Sequence, residues 1–391
     1  MFTIGLSNGP PPNGLTRVAG AGVNLIRTGR DDWNPSQLPS QIAAEKATLD
    51  TLHAHGLRGW LWLGELTNLP AQAGSDRERA LARVADGLQG HPALAAYKGE
   101  DEPRNPFRGK NWIRPAGLVL GYKRLKQIDP AHPVVIIQAP IGTPAQLRPY
   151  VPAFDVTGAD VYPVSYPPGA HTQTPNRDIS VVGDVTKKMV SVAGGKPVWM
   201  TLQIVWSGVI PSQQTPGRVP RFPSLPAERF MAYQAIVNGA SGLVFFGGHL
   251  TEISPPEDAA AGWNWTFWEQ VLRPVVAELA SPELAPALAA PAAKVAVRTS
   301  TSGIEVAVRR AGSFLYVIAV RRSGGVSRVK LTGLPAGVSG GEVLFEYEQR
   351  PLPPPIVAGH QVLRRVDVAG GSFSDWFALH DVHVYRFALP G

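Results

Sequence analysis

Residues 91–103 are HPALAAYKGEDEP, a short apolar run that leads directly into three consecutive carboxylates and stops at a proline. Near-continuous apolar runs of this length are typical of strands buried in a parallel sheet. Eight such runs occur before residue 248, at 2–7, 23–28, 59–66, 95–102, 134–139, 156–164, 197–205 and 242–247. Between several of them, amphipathic stretches predict helices at 41–55, 77–88, 116–128 and 227–238. The alternation predicts an α/β fold, a (β/α)8 TIM barrel.

An open doubly wound sheet is the rival architecture. It is disfavoured because no predicted strand is followed by a GxGxxG turn and a helix, and the sequence Gly20-Ala21-Gly22 precedes a strand instead. A dinucleotide cofactor is therefore not expected.

The C-terminal part follows a different pattern. After Lys294 the apolar residues alternate with polar or small ones, as in residues 304–308, 314–320, 343–347 and 382–384, and Gly-Gly pairs separate these runs. This period of two predicts an antiparallel β-sandwich. We expect a catalytic barrel at 1–288 and a β-sandwich accessory domain at 294–391, joined by the Ala- and Pro-rich stretch between them.

Composition narrows the classes of protein that fit. The chain has 391 residues, of which 44% are hydrophobic and 17% charged, a balance typical of a globular protein. The absence of cysteine excludes disulfides, thiol nucleophiles and cysteine-bound metals. The net charge is +7, but the basic residues are scattered, so no nucleic-acid partner is expected. No run approaches the roughly 18 apolar residues of a membrane span.

The first residues, MFTIGLSNGPPPNG, lack the pattern of a signal peptide. We expect a secreted bacterial protein, extracellular or periplasmic, whose leader is absent from this sequence. The cytoplasm is the alternative location. The pattern assigns no oligomeric state.

The three consecutive acids are the first candidates for catalysis, because reacting groups of a TIM barrel lie at the carboxyl ends of its strands. Neighbouring like charges raise each other's pKa, and a general acid needs a raised pKa at neutral pH. Strand alternation is expected to place Lys98, Glu100 and Glu102 on one face. We expect Lys98 to pair with Glu100 inside the barrel, which leaves Glu102 at the rim. The alternative is a solvated loop with incidental acids.

Further polar residues end other predicted strands. Asp160 and Tyr162 follow the sixth strand and suit binding of substrate hydroxyl or amide groups, with a loop cap as the alternative. Glu65 ends the third strand. Arg27 ends the second, where it is placed either to hold a carboxylate in the site or to pair with Glu65 or Glu100.

Six tryptophans fall at or just after predicted strand ends. Flat aromatic rings stack on the apolar faces of sugars, and the indole N–H bonds hydroxyl groups. The six are Trp33, Trp62, Trp112, Trp206, Trp263 and Trp265. Core packing is the alternative for each one, and it is expected for Trp60, Trp199 and Trp268, which lie within predicted elements. The collective placement indicates a carbohydrate ligand, with Trp62, Trp206 and Trp265 among the binding residues.

The run at 91–103 resembles the fourth-strand segment of TIM-barrel glycoside hydrolases, in which an HPA…NEP or …DEP sequence carries the acid/base glutamate. Residues 158–163 and 231–247 are similar to segments of the same superfamily, and 373–385 resembles the closing strand of its C-terminal β-domain. The likeness is to the superfamily and not to one family. It implies that Glu102 is the proton donor in hydrolysis of a glycosidic bond.

The sequence departs from that pattern at two positions. Retaining enzymes with NEP on the fourth strand carry a nucleophilic glutamate at the end of the seventh, where this sequence has Gln203. An amide cannot form the glycosyl-enzyme ester, so Gln203 is expected only to bind substrate. Asp101 also replaces the usual asparagine.

Three mechanisms remain open at this point. In the first, Asp101 orients a 2-acetamido group while Glu102 protonates the leaving oxygen, as in substrate-assisted β-N-acetylhexosaminidases. In the second, Asp160 or another distant acid activates water in an inverting reaction. In the third, Glu65 or Glu252 supplies the nucleophile.

The resemblance and the strand-end residues together predict a glycoside hydrolase acting on an oligo- or polysaccharide, without a metal or other cofactor. The catalytic candidates are Glu102, Asp101 and Asp160. The substrate-binding candidates are Tyr162, Gln203, Trp206, Glu65, Arg27, Trp62, Glu100 and Trp265. The alternative is a degenerate barrel that binds carbohydrate without cleaving it, which Gln203 favours.

Overall fold

A computed structural model of the protein describes residues 1–105, 112–213, 216–351 and 359–390. The chain divides into two compact units. One contains residues 3–225 and 239–276, and the other contains residues 1–2, 226–238 and 277–391. The bounds expected from the sequence, 1–288 and 294–391, stay a prediction.

The first unit contains a closed sheet of eight parallel strands. They are β1 (Thr3–Leu6), β2 (Leu25–Gly29), β3 (Arg58–Trp62), β4 (Leu94–Lys98), β5 (Val134–Gln138), β6 (Val156–Ala159), β7 (Trp199–Gln203) and β8 (Gly242–Phe246). Their order is β6-β5-β4-β3-β2-β1-β8-β7. Isolated parallel bridges join Thr157 to Val198 and Asp160 to Thr201, so β6 meets β7 and the sheet closes. The predicted (β/α)8 barrel is confirmed.

Helices alternate with these strands along the chain. They are α1 (Leu15–Ala21), α2 (Leu38–Ala54), α3 (Asp76–Leu88), α4 (Pro115–Ile128), α5 (Pro144–Leu147), α6 (Val181–Ala193), α7 (Leu225–Val237), α8 (Pro256–Ala261), α9 (Trp265–Phe267) and α10 (Arg273–Ala280). Helix α3 begins where the sequence predicts, because the Ser75 hydroxyl accepts the N–H of Glu78 at 3.2 Å, a cap that contributes about 1 kcal/mol. Its apolar face packs with Leu49 of α2 and Leu125 of α4.

Alternate strand positions fill the inside of the barrel. The buried residues there are Leu25, Trp60, Ala96, Val135, Ile137, Val156 and Val244. Ile136, between Val135 and Ile137, packs instead with Leu118 of α4. Because the interior is filled by side chains, any ligand site of the barrel must lie at the ends of the strands.

The second unit contains two antiparallel sheets. Their strands are β9 (Arg298–Thr299), β10 (Ile304–Ala311), β11 (Phe314–Arg321), β12 (Ser327–Thr332), β13 (Gly340–Pro351), β14 (Gly359–Asp367), β15 (Ser372–Phe377) and β16 (Val382–Ala388). One sheet has the order β10-β11-β16-β13-β14 and the other β15-β12-β9. Their shared core includes Val317, Leu331, Phe373, Tyr385 and Phe387. The predicted β-sandwich is confirmed.

The structure corrects details of the sequence prediction. The barrel strands are mostly shorter than predicted, and the fourth ends at Lys98 rather than at 102. Strand β12 was not predicted, and residues 373–385, which resemble a single closing strand, belong to two strands, β15 and β16, separated by residues 378–381. The stretch after 281 contains a short helix, α11 (Ala285–Ala289). Within the described ranges, no helix is both long enough and apolar enough to cross a membrane.

Candidate active site

A cavity of about 400 Å³ opens at the carboxyl ends of the barrel strands, a size typical of small-molecule sites. Its wall includes residues at or after six strands: Ser7, Arg27, Asp101, Glu102, Asp160, Tyr162, Trp206 and Phe246. Among the described residues, its charged lining consists of three carboxylates and three cations, namely Asp101, Glu102, Asp160, Arg27, Lys98 and Arg218. The structure therefore brings together all three predicted catalytic residues.

The end of β4 explains how two consecutive acids reach the same cavity. The N–H of Gly99 donates to the carbonyl of Val135 at 2.9 Å, and the N–H of Glu102 donates to that of Ile137 at 2.8 Å. Three residues of this segment thus span two residues of β5. The extra residue interrupts the alternation of side chains, as in a β-bulge. The expected sharing of one face by Lys98, Glu100 and Glu102 is therefore wrong, because Asp101 and Glu102 both line the cavity.

Glu102 occupies an unusual backbone conformation. Its φ is +43°, in the left-handed region that residues with a Cβ rarely adopt. Such conformations cost about 1–3 kcal/mol and cluster at functional sites. The side-chain amide of Asn105 donates to Glu102 Oε2 at 2.5 Å, which stabilises the ionised carboxylate. The strained backbone at Glu102 therefore lowers the stability of the fold while it places this carboxylate in the cavity wall.

Lys98 lies beneath the acids and is only 3% exposed. Its ammonium donates to Asp101 Oδ1 at 2.5 Å, so the predicted pairing with Glu100 is replaced by a pairing with Asp101. Its Nζ also lies 3.8 Å from the ring centroid of Trp62 and 5.6 Å from that of Trp60. Burial lowers the pKa of Lys98, the charge of Arg27 acts in the same direction, and Asp101 opposes both.

Asp160 follows β6 directly. Its backbone N–H donates to the carbonyl of Gln138 at 3.1 Å, and a bridge to Thr201 fixes it between β5 and β7. Burial raises the pKa of Asp160 well above its ordinary value, and repulsion from Asp101 and Glu102 raises it further. These interactions favour a proton on Asp160 at neutral pH.

Aromatic rings form another part of the wall. Tyr162 stacks on His171 with centroids 4.5 Å apart and on Phe246 at 5.4 Å. His171 meets Trp206 edge-on at 5.3 Å. The guanidinium of Arg218 lies 4.5 Å from the Trp206 ring centroid. These rings pack on one another and form an aromatic part of the cavity wall.

Five predicted binding residues do not line this cavity. Glu65 has a side chain 79% exposed and lies 3.8 Å from Arg77, and Trp265 packs against Arg17 and Trp263. The Gln203 amide accepts from the N–H of Val164 at 2.8 Å and donates to its carbonyl at 3.0 Å. The other two, Glu100 and Trp62, are buried.

The remaining residues singled out for catalysis or stacking also lie elsewhere. Glu252 bonds to the backbone N–H of Ser212 at 3.1 Å. Trp33 and Trp263 are buried, and the ring of Trp112 lies against the guanidinium of Arg104 at 4.9 Å. Of the six tryptophans at predicted strand ends, Trp206 lines the cavity. Trp60, which was assigned to the core, lines it as well.

Three residues that line the cavity were not predicted from the sequence: Asn105, His171 and Arg218. His171 and Arg218 come from the segments after β6 and β7, which run over residues 160–180 and 204–224. Connections of that length are uncommon in compact domains unless they are functional, so loop length was the available signal. In the described ranges, no cluster of three or more His, Asp or Glu side chains is arranged to hold a metal ion.

Comparison with known proteins supports the fold at low sequence identity. No protein-family model and no protein with a curated description matches this chain. An α-amylase from Geobacillus thermoleovorans is similar in structure, with a TM-score of 0.59, 9% identity and coverage of 100% of this chain and 99% of that one.

Two other solved structures are similar over nearly the whole chain. A family 5 glycoside hydrolase from Bacteroides vulgatus gives a TM-score of 0.58 at 11% identity, covering 100% of this chain and 90% of that one. A family 30 endoxylanase from Clostridium papyrosolvens gives 0.54 at 11% identity, covering 99% and 96%. The chain shares the barrel-plus-sandwich fold of these glycoside hydrolases.

Proposed function

We propose that this protein hydrolyses glycosidic bonds, with Glu102 and Asp160 as the catalytic pair. The observation that carries the proposal is the convergence of carboxylates from the ends of β4 and β6 on one cavity. Glycoside hydrolysis needs two carboxyl groups in different protonation states. The fold that the chain shares with glycoside hydrolases supports the same activity.

The surroundings of the two carboxyls suggest how the roles are divided. Asp160 is driven to keep its proton by burial and by repulsion from Asp101 and Glu102. Glu102 accepts a hydrogen bond from Asn105, which favours its ionised form. In this proposal the general-acid role that the sequence analysis gave to Glu102 passes to Asp160.

The reaction follows from that division. The proton of Asp160 moves to the bridging oxygen as its bond to the anomeric carbon breaks. Glu102 takes a proton from a water molecule whose oxygen attacks that carbon, or it attacks the carbon itself and is released by water in a second step. Asp101, paired with Lys98, lies beside the two catalytic carboxyls, and its charge opposes loss of the Asp160 proton.

Variants tested on substrates with different leaving groups check the assignment. Asp160→Asn is expected to lower turnover on unactivated glycosides by about 10²–10⁴-fold, the usual contribution of a general acid. Dinitrophenyl glycosides, whose leaving group needs no protonation, are expected to retain near-normal rates. Glu102→Gln is expected to lose activity on both classes. Glu257→Gln, an exposed carboxylate outside the cavity, is the matched control.

Two outcomes decide against parts of the proposal. If Glu102→Gln retains activity on dinitrophenyl glycosides and Asp160→Asn does not, the two roles are reversed. If both variants keep the turnover of Glu257→Gln while folding normally, the catalytic pair is wrong.

A second candidate function is carbohydrate binding without cleavage. It is favoured by Gln203, since an amide stands where related retaining enzymes carry a nucleophile and its polar atoms bond to the backbone of Val164. A reducing-end assay on a panel of polysaccharides separates the two. Binding of a glycan without release of new reducing ends supports the binding function.

A further inference from the structure

The guanidinium of Arg218 contributes a positive charge to the cavity wall. It lies 4.5 Å from the ring centroid of Trp206, and such a contact holds a cation in place without neutralising it. In the described part of the chain, no carboxylate lies within ion-pair distance of Arg218. Arg229, by contrast, is bound by Glu278 at 2.7 Å. Arg218 is thus positioned by an aromatic ring and left available to an anion.

His171 adds a neutral hydrogen-bond donor beside that charge. Its Nδ1 faces the backbone N–H of Tyr162 at 3.3 Å and accepts from it, so the single ring proton is on Nε2. Burial lowers the pKa of His171 to about 3, and the charge of Arg218 acts in the same direction. The imidazole stays uncharged over the physiological range. Its ring meets Trp206 edge-on, next to the guanidinium.

The remaining charges of the cavity do not cancel Arg218. Asp101 is paired with Lys98, and burial raises the pKa of Asp160, which favours its uncharged form. Glu102 accepts a hydrogen bond from the side-chain amide of Asn105. Among the described residues that line the cavity, three cations, Arg27, Lys98 and Arg218, thus face two carboxylates, Asp101 and Glu102, and the carboxyl group of Asp160.

We propose that the cavity recognises a sugar bearing an anionic group, and that Arg218 and His171 bind this group beside the Trp206 ring. The proposal rests on the proposed function in taking the ligand to be a sugar. A carboxylate accepts two parallel hydrogen bonds from a guanidinium, and a sulfate presents oxygens of the same kind. Both groups present two or three oxygen atoms that share a negative charge, attached to a sugar ring.

Binding is measured by calorimetry with defined probes. Tetragalacturonate and tetramannuronate are compared with their methyl esters, which keep the shape and remove the charge. Cellotetraose 6-sulfate is compared with cellotetraose. At least one acidic probe is expected to bind about tenfold or more tightly than its neutral counterpart, the usual gain from a charge-assisted pair. The sulfate and uronate arms identify which anion is preferred.

Variants assign the preference to Arg218. Arg218→Gln is expected to remove the preference for the acidic probe, measured as the ratio of the two dissociation constants, and Arg218→Lys, which keeps the charge, is expected to retain a weaker preference. Arg221→Gln is the matched control, because Arg221 is three residues away, exposed, and packed on Tyr166 outside the cavity. Arg221→Gln is expected to prefer the acidic probe over its neutral counterpart to the same extent as the unaltered protein.

The results separate this inference from the proposed function. Tight, charge-dependent binding without cleavage supports the anionic ligand and overturns hydrolysis. Cleavage of neutral glycans with no preference for acidic probes does the reverse. Equal affinity for each acid and its neutral counterpart, or a preference that survives in Arg218→Gln, overturns the role of Arg218.

Discussion

Two groups of charged residues, one in each unit, are built on opposite principles. In the β-sandwich, Arg364 donates to both oxygens of Asp375 at 3.0 and 2.7 Å and to Glu346 at 2.8 Å. Tyr385 donates to Asp375 at 2.8 Å, and His383 Nδ1 bonds to Glu346. We call these five residues the sandwich charge cluster. In the barrel cavity, by contrast, three carboxyl groups converge, and repulsion from Asp101 and Glu102 adds to burial in raising the pKa of Asp160.

The pKa directions record that difference. In the sandwich charge cluster, burial opposes ionisation of Glu346 and Asp375, but hydrogen bonds from His383 and Arg364 outweigh it and lower the pKa of each. In the cavity, burial and repulsion raise the pKa of Asp160. Opposite charges that satisfy each other stabilise a fold, whereas like charges held together cost stability and are typical of sites that react.

The largest expected effect comes from breaking the sandwich charge cluster. Asp375→Asn removes the charge that binds Arg364 and Tyr385, and loss of one partner of a buried pair costs about 3 kcal/mol. Calorimetric unfolding is expected to show that loss, while turnover per folded molecule stays unchanged. Asp32→Asn, which breaks the exposed Arg30–Asp32 pair, is the control and is expected to leave stability unaltered. Equal, small losses in both variants would show that the cluster does not stabilise the sandwich.

A second, smaller effect is a pair of opposite pH dependences. Because the folded-state pKa of Asp160 is raised, its contribution to stability is complete below its ordinary value of 3.8 and is lost as the pH rises through the folded value. Glu346 and Asp375 contribute fully above their ordinary values of 4.5 and 3.8 and lose that contribution as the pH falls through their lowered values. Acidification therefore relieves the cavity and weakens the sandwich.

Asp160→Asn tests the cavity half of that statement. The variant is expected to be more stable than the unaltered protein at pH 7, by roughly 1 kcal/mol, and equal to it at acidic pH. Thermal unfolding measured across the pH range checks both points. A variant that is less stable at neutral pH contradicts the view that the buried carboxyl of Asp160 lowers the stability of the folded protein there.

The contrast between the cavity and the sandwich charge cluster also explains which parts of the fold could be predicted from the sequence. The eight apolar runs predicted the barrel strands, and the period of two predicted the sandwich, because burial of strands leaves a local signal. Strand β12, with exposed Arg328 and Lys330 alternating with buried Val329 and Leu331, has that period but was missed. Its neighbour β15 lies in residues 373–385, which the sequence pattern did not divide into two strands. Buried Asp375 lies between buried Phe373 and Phe377, so a residue of the charge cluster interrupts the apolar period of two.

The cavity was predicted in part for a related reason. Asp101, Glu102 and Asp160 follow strands directly, so their positions were fixed by the strand-end rule. Arg218 and His171 are brought in by long irregular segments, whose path depends on contacts distant in sequence. The choice of Asp101 over Glu100 as the partner of Lys98 depended on one extra residue beside β5, which strand alternation cannot reveal.

The smallest expected effect concerns Lys98, the point at which the two principles meet in the cavity. Its charge is paired with Asp101, as in the sandwich, yet it also lowers the pKa of Asp160 against the stronger effects of burial and repulsion. Lys98→Met removes that opposition, so Asp160 is expected to keep its proton to higher pH. The alkaline limb of the pH–activity profile should then move to higher pH, and the loss of turnover should be smaller than that of Asp160→Asn.

A pH–rate profile of Lys98→Met measures this shift, and Lys196→Met provides the control. Lys196 bonds to the backbone carbonyls of Val151 and Phe154 and does not line the cavity, so its loss affects stability without touching Asp160. If the alkaline limb moves to lower pH in Lys98→Met, the proton that limits the reaction is not on Asp160. If it moves equally in both variants, the shift reflects a general loosening of the barrel and not the charge beneath the acids.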